Sequence, residues 1–450
     1  MTANQPDDAN RSGLSVCQYL ELMDQGTIDS KSLVQSYLKI IDESDDRIKA
    51  WATVDHDFAL DQAKNRDSLR KRGMPTGSLH GIPIGVKDII DTSDLPTQLG
   101  SEFFEGRQPQ NDAAVIERLK EAGAVIMGKT RTTELAYMHP SVTRNPWNTD
   151  YSPGGSSSGS AAAVAMGQVP LALGSQTHGS VIRPASYCGV YGFKPSRGMI
   201  SRRGVLQTSY HLDQMGACAT SLEDIALLTD SLASYDASDP MCPLRPRPDC
   251  RKGLKSEVPI EPSLAWFDLP YASRYSKELV EGCEELIIET GAHIERIEAP
   301  LSFSGLIESH RIIYGYELYR SLLDLGILES SVASDTIRES TKLMGPITEN
   351  QYHDALEAMH AAEDWFVRFF HDYDAVLTPS APDIAPRFGE GTGDPCCSTI
   401  WTLAGLPCLS MPLLVGRDDM PIGIQLVGAR EQDDRLFRTA RWLLEYLWDK

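Results

Sequence analysis

Apolar residues recur three or four positions apart in several stretches of the chain, and this spacing predicts amphipathic helices. Within residues 14–41 the pattern predicts two short helices that cover one side of the core. An alanine-rich run after residue 160 predicts a further helix that ends at Gly167. The remaining predicted helices span residues 58–70, 113–122, 277–290, 308–325 and 352–373.

Alternating and continuous apolar positions predict strands between these helices. Ile82, Ile84 and Val86 alternate in the segment GIPIGVK, and apolar runs at 124–128 and 169–175 predict buried strands. Further strand-like runs occupy residues 375–382, 406–415 and 423–428. Strands that alternate with helices at this spacing indicate a layered sheet, so the predicted fold class is α/β.

Composition narrows the classes of protein to which the chain can belong. Its 42 Lys and Arg residues against 63 Asp and Glu give a formal net charge of −21, which disfavours nucleic acid as a partner. No apolar run approaches the roughly 20 residues of a membrane-spanning helix. The first dozen residues are polar and look disordered, without the pattern of a secretory signal. We therefore expect a cytoplasmic protein with no membrane partner.

The nine cysteines are scattered along the chain, and no two of them form a CxxC pair. This pattern predicts neither a disulfide framework nor a zinc site, so we expect no metal and no cofactor. The adjacent Cys396 and Cys397 are interpreted as packing residues rather than a redox pair.

Two short motifs match known patterns in an unfavourable context. The run GAVIMGKT, which contains Lys129, matches a phosphate loop, but its apolar middle favours a buried strand over an open loop. The run GSSSG matches a nucleophile elbow centred on Ser157, yet a loop precedes it where a hydrophobic strand is required. A nucleotide-binding module at Lys129 stays an alternative function.

Two segments supply a base and a proton relay of the kind that a serine nucleophile needs. Lys87 ends the strand GIPIGVK, where small residues on its face leave room for the side chain; a lone lysine there would more often extend to water. The loop GGSSSGS places Ser156, Ser157 and Ser158 before the alanine-rich helix. Their hydroxyls can cap N–H groups or relay protons, and a flexible linker is the alternative.

Ser180 follows a predicted strand in the tight turn SQTHGS, which can aim several backbone N–H groups at one point. The natural donors to an oxyanion are the N–H groups of Thr177, His178, Gly179 and Ser180. A serine that caps the next helix is an equally good interpretation of this segment alone.

Together these segments resemble the amidase signature family. Residues 154–196 run closely along the family's signature, and Ser156 and Ser180 stand 24 positions apart, which is the family spacing. GIPIGVKDIID resembles the segment that carries the family's lysine, and LAGLPCLSMPLLV resembles its C-terminal part. The resemblance covers residues 14–445 and is weakest over 240–370.

By position, the resemblance implies a catalytic triad of Ser180, Ser156 and Lys87, with a cis peptide bond before Ser156. It implies an oxyanion hole formed by the N–H groups of residues 177–180. It also implies the amidase signature fold, a mixed, largely parallel sheet with helices on both faces. We further expect supporting or substrate-binding roles for Ser157, Ser158, Arg183, Thr133 and Tyr137.

Three positions depart from the family pattern around the predicted pocket mouth. Gln176 stands where many members have Asp, and His178 stands where Gly or Ala is common. Arg183 falls one place later than the usual arginine, and it reads equally well as a substrate-binding or a buried structural residue.

Lys87 must be uncharged to act as a base near neutral pH, whereas the pKa of an exposed lysine is about 10.4. Lowering this pKa to roughly 7 to 8 costs around 4 kcal/mol, which burial against a sheet can supply. We therefore predict a dry pocket around Lys87.

The expected activity is hydrolysis of a small or aryl amide through an acyl-Ser180 intermediate. A carbamate, or a urea-like amide such as allophanate, is an alternative small-molecule substrate for the same site. A glutamine-dependent amidotransferase subunit is a further alternative, and a homodimer stays open.

We expect one amidase signature domain over residues 1–450. Residues 236–262, rich in Pro, Asp and Arg, are predicted to form an exposed excursion or a hinge. The predicted parts are N-terminal helices (14–75), a catalytic core (76–235), a variable helical substrate-pocket region (240–370) and the C-terminal part of the core (371–450).

Overall fold

Eleven strands form one sheet in the computed structural model, which describes residues 13–448. The prediction for the first dozen residues lies outside this described range. The strands are β1 (Trp51–Val54), β2 (Pro83–Lys87), β3 (Val125–Thr130), β4 (Leu171–Gln176), β5 (Tyr191–Lys194), β6 (Gln214–Ala219), β7 (Leu264–Asp268), β8 (Ile294–Glu298), β9 (Ala375–Pro379), β10 (Cys408–Val415) and β11 (Pro421–Val427).

Helices flank this sheet, and several begin at side chains that cap their first N–H groups. Asp29 caps the second helix and Thr348 the twelfth, each in a reciprocal capping box. The helices are α1 (Val16–Asp24), α2 (Ser30–Ile48), α3 (His56–Lys71), α4 (Ala114–Glu121), α5 (Ser158–Ala165), α6 (Ile182–Cys188), α7 (Leu222–Leu232), α8 (Cys250–Lys255), α9 (Lys277–Thr290), α10 (Ser302–Asp324), α11 (Asp335–Met344), α12 (Glu349–Phe369), α13 (Thr399–Leu403) and α14 (Asp433–Trp448).

The strand order is β1-β3-β2-β4-β6-β5-β10-β11-β9-β7-β8. The predicted α/β fold with a mixed sheet flanked by helices is confirmed, but parallel pairs do not predominate. β2 is parallel to β3 and β4, and β7 is parallel to β8 and β9, whereas the other pairs are antiparallel. The connection of residues 416–420 between β10 and β11 is too short for a crossover, so this pair must be antiparallel.

The two faces of the sheet pack into separate hydrophobic clusters. In β7, Leu264 and Trp266 belong to one cluster, and Ala265 and Phe267 belong to the other. This division follows from the alternation of side chains along a strand. The second cluster contains Ile313 of α10 and apolar residues of α12 and α13, so these helices pack on one face of the sheet.

Two parallel strands bring the predicted chemistry to one edge of the sheet. β2 pairs with β4 in register, with Val86 opposite Leu173. Lys87 is the last residue of β2, and the turn that holds Ser180 follows directly after β4. Since parallel strands end at the same edge, the fold places these segments side by side.

Residues 236–262, predicted to be an exposed excursion or hinge, lie against the core instead. Cys250 is buried at the start of α8, which packs on α7 and α14. Arg247 donates to the backbone carbonyls of Gly198 (3.1 Å) and Ser234 (2.9 Å). The hinge interpretation was wrong because these long-range bonds hold a segment whose local composition is typical of a loop, whereas Leu244 and Ile260 are exposed as predicted.

Residues 240–370 contain α8 to α12 and also two strands that the spacing did not predict. β7 and β8 pair in parallel and extend the sheet at one end. Both strands are five residues long, and a run this short cannot be separated from a helix by periodicity.

Candidate active site

Lys87 stands at the end of β2 with no exposed surface. Gly85 lies two residues earlier on the same face of β2. A Cβ at Gly85 would lie 3.0 Å from Thr130 Cγ2, so the tight packing of this face favours glycine. Lys87 Nζ is 2.7 Å from Ser156 Oγ and 2.9 Å from Ser175 Oγ. Burial lowers the pKa of Lys87 to about 7. The sequence analysis predicted such burial of the Lys87 side chain.

The serine loop between β3 and α5 is packed against the end of β4. Ser157 Oγ donates to the Ser175 carbonyl at 3.3 Å and accepts from the Ser175 N–H at 3.3 Å. A Cβ at Gly174 would lie 2.8 Å from Ser157 Oγ, so glycine in the strand permits this approach. The peptide bond between Gly155 and Ser156 is cis, as the resemblance implied.

The other predicted serine of this loop has a local role in the structure. Ser158 is the first residue of α5, and its Oγ donates to the Gly154 carbonyl at 2.7 Å. Ser157 lies in a loop with no strand before it, so it does not form a nucleophile elbow.

Ser180 lies beside the serine loop and is 8% exposed. The Ser157 N–H donates to the Ser180 carbonyl at 3.2 Å. Among residues 13–448, no hydrogen bond uses the backbone N–H groups of Thr177, His178, Gly179 or Ser180. This turn therefore offers a run of free donors next to a serine hydroxyl, as an oxyanion hole requires.

The side chains of Gln176 and Asp213 hold this turn in place. Gln176 Oε1 accepts from the N–H groups of Val181 (2.9 Å) and Ile182 (3.0 Å), so an amide does the work of the carboxylate common in the family. Asp213, which precedes β6, accepts a hydrogen bond from the Thr177 hydroxyl. The sequence analysis did not identify Asp213 as a partner of the turn, because nothing in the local pattern links it to residue 177.

Ser175 was missed by the sequence analysis although it touches Lys87. Its signal was position alone, because it lies one residue before the end of β4, the strand next to β2. Two further residues that touch the turn were also missed. His310 and Thr402 lie on α10 and α13, in segments far from the turn along the chain.

Arg183 is 2% exposed, and one of its guanidinium nitrogens is well bonded. Nη2 donates to the Gly155 carbonyl at 2.7 Å and to Thr392 Oγ1 at 3.1 Å. Nε and Nη1 are buried without a partner among residues 13–448. Arg183 thus supports the serine loop and retains unpaired donors, so both interpretations of the sequence keep a basis.

Thr133 and Tyr137 lie on the segment after β3. The Thr133 N–H donates to the Ser156 carbonyl at 3.3 Å, and Thr133 Oγ1 donates to the Tyr137 carbonyl at 2.6 Å. Tyr137 also lines a cavity of about 410 Å³, together with His178 of the turn and Tyr314 of α10. The structure therefore brings these predicted residues to the serine loop and to the adjoining cavity.

The phosphate-loop match at residues 123–130 has the geometry of a sheet. Residues from Val125 to Thr130 form β3, and Lys129 Nζ is buried against the Ile90 carbonyl at 2.5 Å and Thr97 Oγ1 at 2.6 Å. A strand whose N–H groups are used in a ladder cannot cradle a phosphate. The apolar run predicted this outcome.

Residues 13–448 lack the features of two other kinds of site. That part of the chain contains no cluster of three or more His, Cys, Asp or Glu side chains arranged to hold a metal ion. None of its helices combines the length and the apolar character needed to cross a membrane.

Comparison with known proteins gives a family match over most of the chain. The family model described as Amidase matches residues 32–437. The A subunit of glutamyl-tRNA(Gln) amidotransferase from Halothermothrix orenii is 32% identical over 96% of this chain and 97% of the relative. The protein of the same name from Endomicrobium trichonymphae is 33% identical over 93% and 94%.

Solved structures are similar over the same extent. The peptide amidase from Stenotrophomonas maltophilia has a TM-score of 0.80 and 27% identity, over 96% of this chain and 97% of that chain. A structure described as an unexpected vestigial protein complex that reveals the evolutionary origins of an s-triazine catabolic enzyme has a TM-score of 0.90 and 26% identity, over 96% and 98%. On the family match and these relatives, the chain belongs to the amidase signature family of hydrolases that act on C–N bonds.

Proposed function

We propose that the protein hydrolyses the C–N bond of a small or aryl amide through an acyl-enzyme on Ser180. The observation that carries this proposal is the surroundings of Lys87. A fully buried amine with a pKa of about 7 lies 2.7 Å from the Ser156 hydroxyl, at the sheet edge where the Ser180 turn begins. A neutral amine in such a place serves as a base for a serine hydroxyl.

In the first half of the proposed reaction, Lys87 Nζ takes the proton of Ser156 Oγ, and Ser156 takes the proton of Ser180 Oγ. Ser180 Oγ then forms a bond to the substrate carbonyl carbon. The negative charge that develops on the carbonyl oxygen is stabilised by the free N–H groups of the turn. When the C–N bond breaks, the proton returns through Ser156 to the leaving nitrogen, and an acyl-Ser180 ester stays behind.

In the second half, water replaces the amine and attacks the ester carbonyl. The water proton passes through Ser156 to Lys87, and the tetrahedral intermediate collapses with return of a proton to Ser180 Oγ. The carboxylic acid product leaves and the free enzyme is restored. Both halves use the same base, relay and donors, so one set of residues serves each step.

The cavity beside the turn supports the substrate class. Its volume is about 410 Å³, and its apolar lining includes Tyr137, Tyr314, Ile307 and Leu343. Such a lining favours an aryl or other apolar group. The unpaired Nε and Nη1 of Arg183 favour an acceptor oxygen on the substrate as well. Carbamates and allophanate-type amides fit the same donors and belong in the substrate panel.

A second candidate function is glutamine hydrolysis within an amidotransferase complex. It is favoured by the relatives at 32% and 33% identity, which are A subunits of glutamyl-tRNA(Gln) amidotransferase. This chain matches them over nearly their full length. The formal net charge of −21 offers no general attraction for transfer RNA. Release of glutamate from L-glutamine by the purified chain, faster than any aryl amide is cleaved, would favour this candidate.

Covalent labelling tests the proposed nucleophile. A fluorophosphonate or phenylmethylsulfonyl fluoride should inactivate the enzyme, and mass spectrometry should place the adduct on Ser180. Ser180→Ala should lose the adduct and turnover, while Ser331→Ala, at an exposed serine, should keep both. A panel of p-nitroanilides, primary amides, carbamates and L-glutamine then ranks the substrates. An adduct on another serine, or full activity of Ser180→Ala, would refute the assignment.

A further inference from the structure

Two side chains from distant helices bind the carbonyl groups of the Ser180 turn. His310 Nε2 on α10 lies 3.0 Å from the carbonyl oxygen of Thr177. Thr402 Oγ1 on α13 donates to the carbonyl oxygen of His178 at 2.8 Å. A carbonyl oxygen can only accept, so the imidazole nitrogen that faces it carries the proton. The donors thus come from elements that cover the turn from outside.

These bonds fix the direction of the N–H groups that follow. In a trans peptide unit, the carbonyl of one residue and the N–H of the next point in opposite directions. Because the Thr177 carbonyl is directed at His310, the His178 N–H points away from α10. In the same way, the bond from Thr402 turns the Gly179 N–H away from α13. Both N–H groups lack a partner among residues 13–448.

We propose that His310 and Thr402 are positioning residues that orient the oxyanion-hole peptides by holding the carbonyl on the far side of each peptide unit. This inference rests on the proposed function, because it assigns the free N–H groups of His178 and Gly179 to the oxyanion. Neither side chain needs to touch the reacting atoms. Their contribution is the fixed direction of two dipoles, which a loop without these bonds would have to reorganise during the reaction.

The same helix also meets the substrate cavity, which gives the arrangement a consequence for specificity. Ile307, His310 and Tyr314 lie on one face of α10 and line the cavity of about 410 Å³. A group that fills this cavity packs against the helix that holds the Thr177 carbonyl. Occupancy of the cavity therefore stabilises the catalytic arrangement of the turn, and good acyl-group fit should appear in kcat as well as in KM.

His310 is suited to this task because it is a neutral donor in a buried place. Burial lowers the pKa of His310 to about 4, and its ring packs on the ring of His178 with 4.2 Å between centroids. The pair introduces no charge beside the turn. A glutamine can place its amide N–H at the reach of Nε2, whereas a leucine fills the space without a donor.

The test compares His310→Leu with His310→Gln, and Thr402→Val with Thr402→Ser. The donor-free variants should lose kcat by about 30- to 100-fold with KM changed less than about threefold, since a small misplacement of oxyanion donors costs up to two orders of magnitude. The conservative variants should recover most of this loss. Binding of an arylboronic acid, which forms a tetrahedral adduct on a serine, should weaken by the same factor as kcat.

The outcomes separate this inference from the proposed function. If fluorophosphonate fails to label Ser180 in the wild-type enzyme, the proposed function fails. If Ser180 is labelled but folded His310→Leu and Thr402→Val keep wild-type kcat and boronate affinity, only the positioning role is refuted. Equal losses in the leucine and glutamine variants would also refute it, because a packing role does not distinguish them by their donor. Circular dichroism and urea midpoints establish that each variant is folded.

Discussion

Two buried lysines on neighbouring strands differ in the kind of oxygen that surrounds them. Lys129 on β3 donates to the Ile90 carbonyl at 2.5 Å and to the hydroxyls of Thr97 (2.6 Å) and Thr92 (3.2 Å), and it differs from Lys87 in its short carbonyl contact and in the Asp88 carboxylate 3.9 Å away. Burial lowers the pKa of Lys129 to about 8, and Asp88 partly offsets this effect. A carbonyl and a carboxylate both accept, so these surroundings favour an ammonium group.

The contacts of Lys87 on β2 have a different chemistry. Its two short contacts are the hydroxyls of Ser156 and Ser175, at 2.7 and 2.9 Å, with a longer contact of 3.5 Å to the Ser175 carbonyl. Within residues 13–448, no carboxylate lies within ion-pair distance of Lys87, although the charge of Asp213 partly offsets the effect of burial on the pKa of Lys87. A hydroxyl can donate as well as accept, so Lys87 can be neutral and still be hydrogen-bonded. Burial alone makes a lysine unusual, and its partners decide whether it can act as a base.

The largest expected effect comes from removing the amine of Lys87. Lys87→Met keeps the volume of the side chain and should lower kcat/KM by about 10⁴-fold or more, because residual rate from the oxyanion donors alone is small. Any remaining activity should rise steeply with pH as hydroxide replaces the base. Steady-state kinetics with the best substrate of the panel measures the loss. If kcat/KM of Lys87→Met were within tenfold of the wild-type value, Lys87 would not be the base, and the proposed difference between the two lysines would be refuted.

The positions of the proposed catalytic residues that lie at or after strand ends could be predicted from the sequence. Lys87 and Ser180 each follow a run with a clear apolar pattern, and parallel strands carry their ends to one edge. The spacing of Ser156 and Ser180 then linked the segments through a family resemblance. The decoy at Lys129 was rejected on the same grounds, because apolar neighbours favoured a strand.

The residues that support this arrangement could not be predicted from local patterns. His310 reaches Thr177 only because α10 packs over the turn, and that packing depends on the tertiary fold of the most weakly resembling region. Ser175 reaches Lys87 because β4 lies next to β2, and the sequence of one strand does not specify its neighbour. The sequence analysis also did not predict that most strand pairs are antiparallel. The direction of pairing depends on how the chain connects the strands, and the composition of a strand does not show it.

The next effect in size concerns stability rather than rate. Lys129→Met should lower the free energy of unfolding by roughly 3–5 kcal/mol, because it leaves the buried Asp88 carboxylate without its neighbouring cation and removes the short hydrogen bond to the Ile90 carbonyl. The folded fraction should keep kcat within about threefold. Urea denaturation at pH 8 measures the change.

Lys87→Met provides the matched control in the same denaturation series. Holding an amine with a lowered pKa costs folding free energy at neutral pH, so this variant should be as stable as wild type or more stable by about 1–2 kcal/mol. If both lysine variants lost stability equally, the contrast between a structural and a catalytic lysine would not hold.

The pH dependence of the rate should identify which lysine titrates. A base must be neutral, so kcat/KM should be full above the pKa of about 7 and fall about tenfold per unit below it. The stability of the folded protein should change with pH in the same direction as the rate. The pKa of Lys87 in the folded state lies below the unfolded value of about 10.4, so the contribution of Lys87 to stability rises from about pH 7 to about pH 10.4. This contribution is lost as the pH falls through about 7. A rate limb near pH 8 that moves with variants around Lys129 would reverse the assignment.

The smallest expected effects come from removing one hydroxyl next to each lysine. Ser175→Ala removes an acceptor 2.9 Å from Lys87 Nζ, and it should lower kcat about tenfold and move the acid limb to lower pH, because a bond to the ammonium form is lost. Thr97→Val removes the hydroxyl 2.6 Å from Lys129 Nζ with little change of shape. It should cost about 1–2 kcal/mol of stability and leave both kcat and the limb unchanged. Equal shifts of the limb in the two variants would mean that the sheet as a whole sets the pKa of Lys87, whereas a shift in Ser175→Ala alone would assign it to the hydroxyls at the strand ends.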